Sequence, residues 1–522
     1  MGRRIVCFLV LAAVAGAACA ELQNVQVGGE MRMRYRYYRN TFTDQNPGLP
    51  GFRREIRIPN AFLPKRPIGP RGVSSIFDWD DKGNDWQFFE TAVLLNVKAD
   101  FTNNVGAFIE LYDFHVWGED FRSNWITGAD ARAATNEDVE INQAYIDANE
   151  MFGMPLRLRI GRQALKFGRG WLVSDMLTPT QRLSFDAIRL TYDVDAFTVD
   201  AFAAKLAENG VVEEDGDTDF YGIYGTYKAF KPLQVSAYWF WLRDAQSRND
   251  TNFIWLVEWM EDLFGVDDYD VTNLHTVGLR LFGETSGFDY DLELAYQFGN
   301  ADFYGPGLAP IGLRYGPTDA EFDNWAAELN AGYTFDMKWS PRVLVLACYF
   351  QGHDNRDISF WDWLNPFYKP EASVSFNRLF SDINHMPVVN DNGWLSNVAQ
   401  AGIGFELQPT EKVRVHFHVA KDWIVEPFDF PVTLNLGKFR IPIAPALSFW
   451  TRQGSDDLGW EAALWIKYNY SEDLSFLLYY NRLFVGKGLT EGGFIQFNGT
   501  DFCGGTDDDD ADYVFLMSVL RF

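Results

Sequence analysis

Residues 29–38 read Gly29-Glu-Met-Arg-Met-Arg-Tyr-Arg-Tyr-Tyr38, with an arginine at every second position and Met or Tyr between. Side chains alternate across a β-strand, so Arg32, Arg34 and Arg36 share one face and Met31, Met33, Tyr35 and Tyr37 the other. A water-soluble sheet gains nothing by burying three arginines in a row or by offering Met and Tyr to water. The pattern is satisfied when the apolar face meets lipid and the charged face lines a water-filled lumen. The stretch therefore reads as one strand of a transmembrane β-barrel.

The alternation continues along the chain. Seventeen further segments follow: Phe89–Phe101, Val105–Val116, Glu140–Glu150, Leu156–Phe167, Ala187–Tyr192, Phe197–Leu206, Phe220–Ala229, Gln234–Asp244, Leu274–Gly283, Phe288–Gly299, Trp325–Phe335, Arg342–Gly352, Val398–Pro409, Lys412–Val425, Gly459–Tyr470, Leu474–Val485 and Tyr513–Phe522. Most are about as long as a tilted barrel strand needs to be to cross a bilayer. The fold class expected is all-β: a transmembrane antiparallel up-and-down barrel of about eighteen strands, or sixteen if the segments near Phe220 and Val398 are merged or dropped. Residues 101–105, 284–287, 409–412 and 471–473 read as tight turns. Residues 41–84, 117–138, 300–324, 351–397 and 486–512 read as long extracellular loops. Phe253, Leu256, Val257, Met260, Leu263 and Phe264 share a helical face within one connection, as a surface helix or a lumen plug.

The ends fit an exported outer-membrane protein. Residues 1–20 carry the basic, apolar and Ala18-Cys19-Ala20 regions of a secretory signal, a lipoprotein signal at Cys19 being the rival reading. Residues 21–522 are then one domain. Beyond the signal no stretch of ~20 apolar residues could cross a membrane as a helix. Aromatic residues make up 16% of the chain, which suits outward girdles at the membrane interfaces. The terminal strand ending in Phe522 is the kind of signal read by the barrel assembly machinery. Cys348 and Cys503 are read as unpaired. The net charge of −27 disfavours nucleic-acid binding. Much of it sits in acidic runs: 213–217, Asp267-Asp268, and Asp507 to Asp510. These are solvated loops and candidate weak calcium sites; no other cofactor is expected.

Ile141-Asn-Gln-Ala-Tyr-Ile-Asp147 is followed by Pro155-Leu-Arg-Leu-Arg-Ile-Gly-Arg-Gln163. This pair of strands resembles the alginate-export family of outer-membrane porins. The likeness continues through Gly168–Leu172, and Leu458-Gly-Trp-Glu461 with Leu474-Ser-Phe476 is similar to the family's closing strands. The resemblance implies an eighteen-stranded monomeric barrel with an arginine-rich constriction that passes an anionic uronate polymer. The acidic loops, the helical insertion and residues 426–445 depart from the family pattern.

Alternation places Arg32, Arg34, Arg36, Arg157, Arg159, Arg189, Arg280, Arg414 and Lys467 inward. Arg162 and Gln163 enter by the resemblance. Arginine suits an anionic cargo because its planar fork binds carboxylates and stays charged, and several weak sites hand a solute on rather than trap it. Glu30, Glu110, Asp291, Glu293, Glu328 and Glu461 also face inward, and the competing reading is that they neutralise the arginines. His416 and His418, two apart on a strand, with His385 or an acid as third ligand, are a weaker candidate for metal, lumen lining being the favoured reading. Trp239 and Trp241 point to lipid, and Gly168-Arg-Gly170 is a turn. The function expected is a channel for anionic saccharides in the outer membrane, among its lipid and lipopolysaccharide. The alternatives are a general porin with mild charge selectivity, an outer-membrane enzyme, and a soluble carbohydrate-binding β-protein. No catalytic triad spacing, phosphate loop or zinc pair supports catalysis.

Overall fold

The computed structural model describes residues 22–39, 56–58, 74–78, 86–102, 104–117, 139–176, 179–208, 217–245, 271–301, 307–308, 314–315, 320–352, 375–388, 395–427, 429–431, 433–436, 439–442, 451–453, 455–490, 494–496, 501–503 and 510–522. Eighteen long strands form one sheet. They are β1 (Leu22–Arg39), β2 (Trp86–Phe101), β3 (Val105–Val116), β4 (Glu140–Ala148), β5 (Leu156–Gln163), β6 (Phe185–Asp193), β7 (Phe197–Ala207), β8 (Thr218–Tyr227), β9 (Gln234–Asp244), β10 (Thr272–Thr285), β11 (Phe288–Ala301), β12 (Ala320–Thr334), β13 (Arg342–Phe350), β14 (Val398–Thr410), β15 (Val413–Ile424), β16 (Asp457–Asn469), β17 (Leu474–Val485) and β18 (Ala511–Arg521). Each pairs antiparallel with its sequence neighbour. The sheet closes through β1 and β18, where Glu30 lies opposite Arg521 and Arg39 opposite Asp512. At the seam Gly29 and Phe522 exchange both backbone hydrogen bonds, at 2.9 and 3.1 Å. All eighteen expected segments are strands, including those at Phe220 and Val398.

Connections alternate in length. One rim carries the short turns 102–104, 194–196, 286–287 and 411–412, together with the β1/β18 seam. The other carries every long connection. The predicted helical face at 253–264 and the acidic runs at 213–216, 267–268 and 507–509 lie outside the described residues.

Exposure sorts the strand faces as alternation requires. Met33, Ile109, Ile160, Ile188, Val277, Val345, Ile403 and Leu516 are exposed on the outside. A soluble barrel would not offer water such a continuous apolar wall. Near the long-connection rim the outer face changes character in register. Arg162 lies opposite Asp186, Asp186 opposite Lys205, Lys205 opposite Asp219, and Asp219 opposite Arg243. One step nearer the middle of the wall, Tyr221, Trp241, His275 and Phe298 stack side to side. Trp239 stacks on Trp241 and His275 and faces outward as expected. Charge, then aromatic ring, then aliphatic side chain is the order a membrane interface demands.

The interior is where expectation and structure part. Alternation predicts a wholly hydrated, charged lumen. Instead β6–β9 turn Phe185, Phe202, Phe220, Tyr224, Tyr238 and Phe240 inward, all buried. Gly222 and Gly278 make room for them: a Cβ on Gly278 would lie 2.0 Å from the Tyr238 ring, and one on Gly222 2.5 Å from Phe202. Against this face pack two segments that leave the wall. The chain expected to stay in strand to Phe167 ends β5 at Gln163 and folds inward over residues 164–176 and 179–184. Part of the expected 351–397 loop, residues 375–388 and 395–397, joins it. Phe167 stacks on Phe202 and Tyr224, Phe380 meets Phe185 and Phe220 edge to face, and Trp171 packs on Phe350 and Phe376. The segments are tied together by bridges from Ser174 N–H to the Phe380 carbonyl and from Phe380 N–H to the Leu172 carbonyl. Each large ring buried here contributes roughly 1.5–3 kcal/mol, so the inward fold is a true hydrophobic core.

Ile223, 49% exposed at the middle of β8, tests the assignment of faces. Ile223→Arg is expected to destabilise the barrel by about 2–4 kcal/mol in denaturant titrations in lipid vesicles. A neutral result would place that face away from hydrocarbon.

Candidate functional site

The half of the lumen away from the aromatic face is built from charge. On β1, Arg34 is 1% exposed and its Nε donates to Glu90, 4% exposed, at 2.7 Å. The other Glu90 oxygen accepts from Arg36 at 3.0 Å, so one carboxylate on β2 serves two guanidiniums. Arg36 also bonds the Tyr38 hydroxyl and lies over the rings of Tyr38, Phe88 and Tyr513. Arg32 bonds Glu30, and Glu30 also takes Arg182 from the inward segment and Arg521 from β18. Arg34 and Arg36 are therefore neutralised by the neighbouring strand, which alternation within β1 alone does not reveal, while Arg32 is paired by Glu30 of its own strand.

Across the lumen the pairing continues. Arg280 holds Asp291 through both oxygens, at 2.8 and 2.6 Å. Arg159 holds Asp147 the same way and lies 3.8 Å over the Tyr145 ring. Arg189 donates to Asp200 at 2.8 Å. Glu110 accepts from Asn142 and Gln143, and Glu461 from Asn481. Glu293 is buried near Arg280. All six expected lumen acids thus face inward.

Three expected cations stand apart. Arg157 has only the Thr191 hydroxyl at 3.3 Å, and its Nε is buried without a hydrogen-bond partner. Arg414 and Lys467 lie directly opposite each other near the short-turn rim. Neither has an acid within salt-bridge distance among the described residues. Arg159 and Arg189 are likewise directly opposed. Like charges in register across a sheet cost stability; Asp147 and Asp200 offset that cost at Arg159 and Arg189, whereas no acid does so at Arg414 and Lys467 among the described residues.

Arg162 is a correction. The resemblance puts it in the lumen with Gln163, but it lies opposite Asp186 on the outer face and its Nε donates to Ser184 at 3.3 Å. Neighbours on a strand face opposite ways, and only Gln163 points in, its amide donating to the Ala187 carbonyl at 2.8 Å. The expected metal grouping also dissolves. His385 sits beside Phe350 and Glu328, away from His416 and His418, which bond each other at 2.9 Å. No set of three metal-ligating side chains converges among the described residues.

Sequence reading misses the cations of the inward segments. Residues 168–170 do form a turn, with positive φ at both glycines, but the turn aims Arg169 across the lumen. Arg169 bonds Glu328, and its Nε lies 3.2 Å from Asp291. Lys166 joins Asp175 of its own segment to Asp382 of the other. Arg378 donates to the Leu395 and Ile383 carbonyls, and burial pushes it down to about 10, still charged at neutral pH. Alternation carries no information about such residues because they are not on strands. The Gly-Arg-Gly triplet was the only local signal.

A closed eighteen-strand barrel with a lipid-facing apolar wall and a charged, partly filled lumen is an integral outer-membrane β-barrel channel. The model of the alginate export family matches residues 82–495, and the chain belongs to that family. No curated protein matches the sequence. Among solved structures it is similar to Pseudomonas aeruginosa OccK8 (OprE), at 11% identity and TM-score 0.49, covering 97% of this chain and 99% of that one. It is also similar to OpdO of the same organism, at 10% identity and TM-score 0.47, covering 95% and 97%. For OccD3 (OpdP), again from P. aeruginosa, the values are 12%, 0.46, 97% and 93%.

Two outcomes follow. Glu90→Gln leaves Arg34 and Arg36 without their carboxylate and is expected to cost about 3–5 kcal/mol, read as unfolding at lower temperature by heat-modifiable gel mobility. His385 is held well below its usual range by burial first, then by Arg378 and Arg169. The folded state therefore resists a proton that the unfolded chain accepts near pH 6.5, and the segment loses stability as pH falls below that value. Hydrogen exchange of residues 375–388 is expected to quicken on acidification, and His385→Gln to abolish the pH dependence.

Proposed function

We propose that this barrel passes anionic saccharides, a uronate polymer or its oligomers, along the charged half of its lumen. The observation that carries the reading is the opposed pair Arg414–Lys467, with no acid in salt-bridge reach among the described residues, together with Arg157, whose Nε is buried without a hydrogen-bond partner. A wall built only for its own stability would interleave acids at those positions, as it does at Glu90 and Asp291. An anionic solute supplies the missing countercharge in passing, and the weakness of each site lets it leave. Family membership agrees with this cargo class.

A general porin with mild selectivity is the second reading, favoured by the complete pairing of Arg32, Arg34 and Arg36. One experiment separates them. In planar bilayers under a salt gradient, the triple variant Arg157→Glu, Arg414→Glu, Lys467→Glu is expected to shift the reversal potential from anion towards cation preference. Oligouronates are expected to interrupt the wild-type current more than neutral oligosaccharides of equal length. An unchanged reversal potential defeats the selective-channel reading and leaves the general porin.

A further inference from the structure

We propose that two buried acids of the lumen wall, Asp422 and Glu461, hold a calcium ion together with the amide oxygen of Asn481. The proposal is independent of what the channel passes. Asp422 on β15 lies opposite Gly459 of β16, and Glu461 is two residues further along the same face. Diagonal neighbours across a sheet are about 7–8 Å apart at the backbone, within reach of acidic side chains, and the two charges act on each other. Asp422 is 0% and Glu461 2% exposed. Each is held on one side by an amide from a flanking strand. Gln400 of β14 donates to Asp422 Oδ1 at 2.8 Å, and Asn481 of β17 donates to Glu461 Oε1 at 2.6 Å. The second oxygen of each carboxylate, Asp422 Oδ2 and Glu461 Oε2, is buried without a hydrogen-bond partner. So is Oδ1 of Asn481, itself fully buried. Two amides thus grip the pair from either flank, and three oxygens remain without a donor.

Two carboxylates side by side in a dry wall repel each other and call for a countercharge. The other buried acids of the lumen are provided for. Glu90 serves Arg34 and Arg36, Asp291 is held by Arg280, and Glu328 by Arg169. Glu110 has no cation, but both its oxygens accept from amides. Among the described residues no Lys or Arg makes a salt bridge with Asp422 or Glu461. His418 lies 3.6 Å from Glu461 Oε1, the oxygen that Asn481 already holds, and makes no ion pair with Asp422. A divalent cation supplies both missing charges at one point. The free donors are all oxygens, two of them anionic, which selects a hard cation over zinc or copper. Calcium accepts irregular sets of oxygens, whereas magnesium holds to an octahedron and keeps several waters, for which a buried site has little room. No cysteine, third acid or converging histidine joins the pair, so the amide oxygen completes the set. Bound there, the ion links β15, β16 and β17 directly and β14 through Gln400.

The test is isothermal titration of the chelator-treated, detergent-solubilised full chain with calcium chloride at neutral pH, beside heat-modifiable gel mobility with and without calcium. Wild type is expected to show one saturable binding event and to unfold at a higher temperature when calcium is present. The double variant Asp422→Asn, Glu461→Gln keeps the shape of both side chains and removes both charges. It is expected to lose that event, or to weaken it by at least about tenfold, because calcium affinity follows the number of charged ligands. Its unfolding temperature is expected to be the same with and without calcium. A wild type with no saturable calcium binding overturns the proposal and leaves the two acids sharing a proton. Equal titrations of wild type and double variant also overturn it, by placing the calcium in the acidic loops. If the double variant lacks folded gel mobility, Asp422→Asn alone serves in its place, with a fall of about tenfold expected and unchanged affinity again overturning the proposal. Neither measurement uses a current or a saccharide, so failure here is distinct from failure of the reversal-potential experiment.

Discussion

Inside a bilayer no water is available to a backbone N–H or C=O, so a sheet there must have no edges. Everything else in this protein follows from the seam where β1 meets β18. There the last residue, Phe522, bonds Gly29 and the ladder becomes a ring. Once the ring closes, every strand has one face in lipid and one in the lumen, and the alternation of the sequence becomes a map of the two environments. The apolar residues are outside because the hydrocarbon is there. The charges are inside because nothing else would accept them.

The interior then divides its labour. On β6–β9 the wall is aromatic and the chain itself fills the space, with Phe167, Trp171, Phe376 and Phe380 as the filling. Elsewhere the wall is ionic, the Arg189–Asp200 pair extending it onto β6 and β7, and Arg34, Arg36, Arg159 and Arg280 are each held by a carboxylate at hydrogen-bond distance. The dry half fixes the position of the inward segments, and that fixed position is what lets Arg169 reach Glu328 on the opposite wall.

The barrel was legible because its signal has period two and is repeated on every strand. Strand ends agreed within a few residues, and the inward placement of Arg34, Arg280 and Glu328 followed from parity alone. Two things were not legible. The pairing of Arg34 and Arg36 with Glu90 depends on which strand closes against which, and a residue in β2 is invisible to a reading of β1. The inward segments have no period at all, so Leu165, Phe167 and Trp171 read as strand or turn although they form a core. Arg162 shows the hazard of borrowing a role from a motif: Gln163 kept its expected side, while the residue before it faces the opposite way, as strand geometry obliges.

The outer row from Arg162 to Arg243 acts as a waterline. Along β8 the distance from Asp219, in that row, to Tyr227 at the other rim corresponds to roughly 20 Å of height for a strand tilted about 40°. A barrel with so short a hydrophobic girth floats without distortion only in a thin membrane, and the bacterial outer membrane is thinner than most. In a thicker bilayer the ion-paired row would be dragged under, and lipid would have to compress around β5–β9 alone, tipping the barrel toward that side.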